Sequence, residues 1–172
     1  LPGLVVDRYD DILVAQVTTA GMELMTDAVL EALVRVVQPK GILLRNDVAS
    51  RELEGLDSHI RVAHGEVPDQ IQVKENGGVF QIAPQTGQKT GWYYDHRANR
   101  EWLNKHVAGA KVLDLFSYVG AFGIEAVLAG AEHALCVDSS EGAIAAIESN
   151  AALNGVEGKI ATRRGNVLEL VR

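Results

Sequence analysis

The second half of the chain repeats one pattern three times: a short apolar segment, a turn, and a helical segment. The apolar segments are KVLDLF, HALCVD and KIATRRG, followed by helical spacing from about Phe122 to Leu128, from about Gly142 to Leu153, and in NVLEL. Short apolar strands that alternate with helices predict a parallel β-sheet with helices packed on its faces. This alternation restricts the second half to an α/β fold.

The first half has a different pattern. Residues 4–17 alternate apolar and polar positions around a polar turn, which predicts a hairpin, and residues 22–38 have helical spacing that stops at Pro39. A second hairpin is predicted around Asn76-Gly77. We therefore expect a small α+β unit at residues 1–86, a join between Ala83 and Tyr94, and a helix from about Asp95 to Val107 before the parallel sheet.

Polar residues lie at or just beyond the end of each predicted parallel strand, namely Asp114, Asp138 and Asn166. Ligands of parallel sheets bind outside the carboxyl ends of the strands. A dinucleotide-binding turn would have the pattern G-x-G-x-x-G, but of the positions Phe116, Tyr118 and Gly120 only the last is glycine. A carboxylate at the first strand end would repel a pyrophosphate and attract a cation, such as the ammonium or sulfonium of S-adenosylmethionine.

Each strand-end residue also has a purely structural interpretation. Asp114 could cap its own loop, satisfied by the backbone N–H groups of residues 117–120, and Asp138 could cap the next helix beside Ser139 and Ser140. Asp138 could equally accept hydrogen bonds from ribose hydroxyls, which both NAD and S-adenosylmethionine carry. Asn166 could read an adenine edge or belong to an ordinary polar loop. Three polar strand ends in succession favour a ligand site.

Residues 85–100, QTGQKTGWYYDHRANR, combine glycines, adjacent aromatic residues and an Asp-His-Arg cluster directly before the sheet. Such a segment could pack over an adenosine and bind a carboxylate, or it could be a linker with a solvated helix start. The concentration of these residue types favours the functional interpretation.

The motifs GQKTGWYYDHR, VLDLFSYVGAFG and VDSS together resemble the class I S-adenosylmethionine-dependent methyltransferases that modify large-subunit ribosomal RNA. Within that class the resemblance is to 23S rRNA cytosine-C5 methyltransferases and their relatives, and LPGLVVDRY and RELEGL extend it over essentially the whole chain. It implies an α+β central domain at residues 1–86, followed at 87–172 by the first part of a Rossmann-like methyltransferase domain. The family's PUA domain would lie outside this chain.

The resemblance implies that S-adenosylmethionine is the cofactor and that the matching residues bind it. The cofactor loop corresponds to Asp114, Ser117, Tyr118 and Gly120, and the ribose site to Asp138 and Ser139. Asn166 stands where the family usually has an aspartate near the adenine. The signature before the sheet corresponds to Lys89, Thr90, Tyr93, Asp95 and Arg97.

The base that is methylated stays open between cytosine C5 and a guanine nitrogen. His96 stands where cytosine-modifying members usually have Gln and some guanine-modifying relatives have His. Cytosine-C5 methylation requires a thiolate, and the single cysteine, Cys136, lies inside a predicted strand, where we expect a buried, inert thiol. Guanine N-methylation requires no such nucleophile.

The formal net charge of −7 argues against a nucleic-acid-binding platform over the whole chain. We expect ribosomal RNA to bind through regions outside this chain. We also expect a cytoplasmic location with no membrane contact, no bound metal, and a possible homodimer. Because the chain begins at Leu1 and stops at Arg172 within an α/β alternation, we expect a piece of a longer enzyme that lacks the catalytic motif and is inactive by itself. The alternatives are an NAD(P)-linked oxidoreductase fragment and a non-enzymatic module for RNA docking or self-association.

Overall fold

The computed structural model describes residues 1–170 and divides the chain into two compact units. The first unit comprises Leu1–Ile71 and Ala83–Trp92, and the second comprises Gln72–Ile82 and the chain from Tyr93 onward. The chain therefore passes between the units at three places. The expected domain boundary after residue 86 stays a prediction.

The first unit is built on a four-stranded sheet. Strands β1 (Leu4–Tyr9) and β2 (Ile12–Val17) form the predicted hairpin, and β3 (Gly41–Asn46) pairs parallel with β2 after helices α1 (Ala20–Glu23) and α2 (Thr26–Val37). Helix α3 (Ser50–Leu53) leads to β4 (His59–Gly65), which is antiparallel to β3. Every residue of β2 and β3 is buried, as their almost continuous apolar sequences require of central strands.

Two features of this unit differ from the sequence-based expectation. The single helix expected over residues 22–38 is two helices, because the chain turns at Leu24 and Met25 between α1 and α2. The hydroxyl of Thr19 caps α1 by accepting from the N–H of Met22. Strand β4 was not predicted, because its mostly exposed residues lack clear alternation.

The second unit begins with the predicted hairpin, β5 (Ile71–Glu75) and β6 (Gly78–Ile82), and then a 3₁₀ turn (Tyr94–His96) and α4 (Arg97–Asn104). The repeats follow as β7 (Lys111–Leu115), α5 (Ala121–Leu128), β8 (His133–Asp138), α6 (Glu141–Leu153), β9 (Ile160–Arg164) and α7 (Val167–Leu170). Strands β7, β8 and β9 are parallel neighbours in that order, which confirms the predicted parallel sheet and its alternation with helices.

The hairpin at Asn76-Gly77 groups with the second unit and not, as expected, with the first. The reason is that two side-chain amides, one in α6 and one directly after it, complete the backbone hydrogen bonds of β6. Asn150 Oδ1 accepts from the N–H of Gln81 at 2.7 Å, and Asn154 Oδ1 accepts from the N–H of Val79 at 2.9 Å. Both amides also donate to the carbonyls of the same residues.

The core of the second unit lies between α4, α5 and the parallel strands. Small and branched residues fill it, with Val107, Ala126, Val127, Ala131 and Ala134 buried and Leu103, Val112 and Ile160 packed around them. Within residues 1–170 we find no helix of the length and apolar character needed to cross a membrane.

Candidate cofactor site

The candidate site lies at the carboxyl end of the parallel sheet, where the structure places Asp114 next to the last residue of β7, as predicted. Asp114 is buried, and its Oδ2 accepts from the N–H of Gly123 at 3.0 Å and lies 3.9 Å from Cys136 Sγ. The expected donors were the N–H groups of residues 117–120; the structure instead uses Gly123, because α5 points its first turn at this carboxylate. A Cβ at Gly123 would lie 2.5 Å from Cys136 Sγ, so glycine permits the close approach.

The charge on Asp114 is poorly compensated within this unit. Burial raises the pKa of Asp114 to about 6, the N–H of Gly123 opposes the shift, and the negative charge of Asp138 adds to it. A buried carboxylate whose ionised form is disfavoured is stabilised by a cation brought to it. The site therefore suits a ligand that carries positive charge.

Asp138 is the last residue of β8 and ties two strand ends together. Its Oδ2 accepts from the N–H of Tyr118 at 2.9 Å, and its Oδ1 accepts from the N–H of Ser140 at 3.0 Å. Asp138 is not the cap of α6, because Ser140 occupies the N-cap position and its hydroxyl accepts from the N–H of Ala143. Each carboxylate oxygen can accept a further hydrogen bond, for example from a hydroxyl.

The loop between β7 and α5, residues 116–120, has an unusual backbone. Phe116, Tyr118 and Gly120 all have positive φ, at 58°, 52° and 80°, which is uncommon for residues other than glycine. Ser117 holds the loop in place: its Oγ lies 2.7 Å from the carbonyl of Asp114 and 3.0 Å from that of Val137, and its N–H also donates to Val137. Such backbone outliers concentrate at functional sites.

Tyr93 is the member of the upstream signature that the structure brings to this loop. Its ring meets Tyr118 edge-on, with centroids 5.9 Å apart, and lies 5.7 Å from the ring of His96. His96 in turn packs its ring 6.0 Å from Phe122, in the first turn of α5. Asp95 and Arg97 flank His96 with exposed side chains.

The remaining predicted residues are placed differently. Ser139 is exposed, and its carbonyl accepts from Arg164. Both amide atoms of Asn166 make local contacts at the start of α7, to the N–H of Leu168 and to Glu169, so an adenine contact by Asn166 stays a prediction.

Lys89 and Thr90 belong to the first unit. Thr90 is buried there; it donates to Asp7 Oδ2, and the hydroxyl of Tyr9 lies 3.2 Å from its carbonyl. Lys89 is exposed and has a φ of 50°. Their cofactor-binding role stays a prediction.

The second unit also contains a buried charge cluster that was not predicted from the sequence. Arg100 is 2% exposed and pairs with Glu75, which is 5% exposed. The alternation of β5 gives a signal, since Glu75 occupies the inward-facing position that Ile71 and Val73 share. An acid at such a position requires a buried partner.

The profile of the S-adenosylmethionine-dependent methyltransferase family matches residues 43–168. The chain belongs to this family. S-adenosylmethionine is the family's cofactor, and its positively charged ammonium and sulfonium groups fit the buried acidic strand end. Across residues 1–170, no group of three or more His, Cys, Asp or Glu side chains is arranged to hold a metal ion.

This methyltransferase chain is similar to a ribosomal RNA large subunit methyltransferase I from Aeromonas hydrophila, with 41% identity over 91% of the chain and 40% of the relative. It therefore spans less than half the length of that relative. Among solved structures it is similar to a protein from Streptococcus mutans assigned as an S-adenosylmethionine-dependent methyltransferase, with 25% identity, a TM-score of 0.83, and coverage of 98% of the chain and 43% of that protein.

A second solved structure, of a protein assigned as a methyltransferase and complexed with S-adenosylhomocysteine, matches with a TM-score of 0.84 and 24% identity. The match covers 98% of this chain and 43% of that protein. At this identity the likeness shows the fold alone, and it agrees with the Rossmann-like expectation.

Proposed function

We propose that this chain is part of a methyltransferase that transfers the methyl group of S-adenosylmethionine to a base of large-subunit ribosomal RNA. The observation that carries the cofactor half of the proposal is the pair Asp114 and Asp138, two buried carboxylates at the ends of neighbouring strands: Asp114 accepts from the first turn of α5 and Asp138 from the loop before it. The RNA half rests on the similarity to the Aeromonas hydrophila enzyme, of which the chain covers 40%.

Each predicted residue has a role in this proposal. Asp114 holds the cofactor's ammonium, because burial without full compensation makes it a cation site. Asp138, with Ser139, accepts the ribose hydroxyls, while Tyr93 and Tyr118 provide aromatic surface beside the loop. The family resemblance adds seven further residues to the proposed cofactor-binding set: Lys89, Thr90, Asp95, Arg97, Ser117, Gly120 and Asn166.

The cofactor supplies an electrophilic methyl group, and the protein orients it toward the acceptor base. Cys136 does not serve as the nucleophile that cytosine-C5 methylation needs. Burial, and after it the charge of Asp114, raise the pKa of the Cys136 thiol to about 12, so the thiol stays protonated at neutral pH. Cytosine C5 and a guanine nitrogen therefore both stay open as the atom that accepts the methyl group. If the acceptor is cytosine C5, the thiolate comes from outside these residues.

The cofactor half is tested by calorimetric titration of the chain with S-adenosylmethionine, S-adenosylhomocysteine and NAD. We expect binding of the first two and none of NAD; binding of NAD alone would support an oxidoreductase. The RNA half is tested by incubating the full-length gene product with radiolabelled S-adenosylmethionine and 23S rRNA from a strain that lacks the corresponding activity. Absence of label from the RNA would contradict it. The same resemblance supports a cytoplasmic location.

A further inference from the structure

We propose that Arg100 is a positioning residue for the cofactor site: anchored by Glu75, it holds Tyr93 and Phe122 so that the aromatic wall stands against the loop at residues 116–120. The aromatic wall is the set Tyr93, His96 and Phe122. This inference rests on the proposed function, because it assigns the wall a role in binding the cofactor.

The guanidinium of Arg100 is buried and makes several contacts at once. Arg100 Nε donates to Glu75 Oε1 at 2.7 Å, and a terminal nitrogen donates to the same oxygen. That terminal nitrogen also donates to the carbonyl of Tyr93 at 3.0 Å. The guanidinium carbon lies 5.5 Å from the ring centroid of Phe122. One side chain thus fixes the backbone before the 3₁₀ turn and the first turn of α5.

The charge cluster around Arg100 is costly to bury. Glu125 is also buried, with Oε1 at 3.4 Å from Arg100 Nε and Oε2 accepting from Asn76 at 2.8 Å and Asn104 at 3.2 Å. Two carboxylates thus face one guanidinium, and burial raises the pKa of Glu125. Well-packed apolar residues often give equal or greater stability than a buried ion cluster. The cluster is better explained by the geometry it fixes than by the stability it adds.

A continuous series of contacts leads from Arg100 to the candidate site. Arg100 holds the carbonyl of Tyr93, the ring of Tyr93 packs edge-on against Tyr118, and the N–H of Tyr118 donates to Asp138. On the other side, His96 packs between Tyr93 and Phe122, both of which contact Arg100. A shift of the guanidinium therefore moves the aromatic wall relative to the carboxylate proposed to bind ribose.

The test is a double-mutant cycle on binding of S-adenosylhomocysteine to the chain, measured by calorimetry beside thermal unfolding. Arg100→Lys keeps the charge but loses the two-pronged geometry, and Tyr93→Leu removes the ring it positions. We expect each single variant to lower the affinity about fivefold or more. The double variant should have the same affinity as the single variant that binds less tightly, because both changes disrupt one arrangement. Arg61→Lys, at an exposed position, is the matched control and should bind like the unmodified chain.

The outcomes separate the two proposals. Failure of the unmodified chain to bind S-adenosylhomocysteine would contradict the proposed cofactor. Unchanged affinity in Arg100→Lys, or losses that multiply in the double variant, would overturn only the positioning role. If Arg100→Lys does not fold, Phe122→Leu replaces it in the same cycle, because it removes a ring contact of Arg100 without leaving a buried charge unpaired. Losses of affinity that multiply when Phe122→Leu is combined with Tyr93→Leu would again overturn the proposal.

Discussion

The backbone N–H of Tyr118 donates to Oδ2 of Asp138 at 2.9 Å, so the loop that follows one parallel strand is tied to the end of the next. The Asp138 carboxylate accepts a hydrogen bond from this loop and is proposed to accept others from the ribose hydroxyls. It therefore couples the geometry of the loop to cofactor binding. The same hydrogen bond stabilises the positive φ of Tyr118.

Replacing Asp138 should therefore affect binding more than folding. We expect Asp138→Asn to weaken S-adenosylhomocysteine binding by about 1–3 kcal/mol, the scale of hydrogen bonds to a charged group. Ser140→Ala is the matched control, because it removes the cap of α6 beside the site. It should cost about 1 kcal/mol of stability and leave the affinity unchanged. Calorimetry and urea unfolding of both variants test this, and equal affinities in the two would contradict the ribose role.

Asp114 should destabilise the ligand-free protein at neutral and alkaline pH. Its folded-state pKa of about 6 lies above the ordinary aspartate value of 3.8, so the folded state binds the proton more tightly and stability is lost as the pH rises through this interval. The full cost, about 3 kcal/mol, applies above the folded-state pKa. We expect Asp114→Asn to be more stable than the unmodified chain at pH 8 and about equal to it at pH 4. Urea unfolding at both values tests this; lower stability of the variant at pH 8 would contradict it.

How far the site could be predicted depends on which residues the topology brings together. Parallel strands place their carboxyl ends at one edge of a sheet, so Asp114 and Asp138 could be assigned to one place from their positions in the sequence. Asn166 has the same kind of position, yet its amide bonds residues within the next helical turn. Sequence position alone could not distinguish these outcomes, because each depends on local backbone geometry.

The features that could not be predicted from the sequence depend on contacts between distant segments. The hairpin groups with the second unit through Asn150 and Asn154, about seventy residues further along the chain. The pairing of Glu75 with Arg100 is of the same kind. The break between α1 and α2 was missed for a different reason: the apolar spacing continues across Leu24 and Met25, although both side chains are exposed.

Binding of S-adenosylmethionine should depend on pH through Asp114. If this carboxylate binds the ammonium, affinity should fall as the pH decreases through about 6, where the carboxyl of the free protein takes up a proton. In Asp114→Asn this dependence should disappear, and the affinity at pH 8 should be lower by about 1–3 kcal/mol. Titrations at several pH values in one ionic strength test the prediction, and parallel pH profiles for the two proteins would assign Asp114 to loop capping alone.

Gly120 should tolerate no side chain. Its φ is 80°, and a Cβ would lie 3.1 Å from Ile147 and 3.2 Å from Ile124, both fully buried. We expect Gly120→Ala to destabilise the protein by more than about 1 kcal/mol, the cost of the left-handed conformation alone. Gly155→Ala is the control, because it has a φ of 65° but open space around it, and should show only that cost. Equal losses of unfolding free energy in the two variants, measured in urea, would show that contacts with the isoleucines do not add to the cost at Gly120.

Cys136 should be unreactive in the folded protein. Its side chain is completely buried, and its pKa of about 12 leaves almost no thiolate at pH 8. We expect reaction with an aromatic disulfide reagent to follow global unfolding, so that the rate rises with urea in proportion to the unfolded population. Asp114→Asn should slow the reaction further at pH 8, because the variant is expected to unfold less. A fast reaction in the absence of urea would reopen Cys136 as a candidate nucleophile and would contradict its exclusion from cytosine-C5 chemistry.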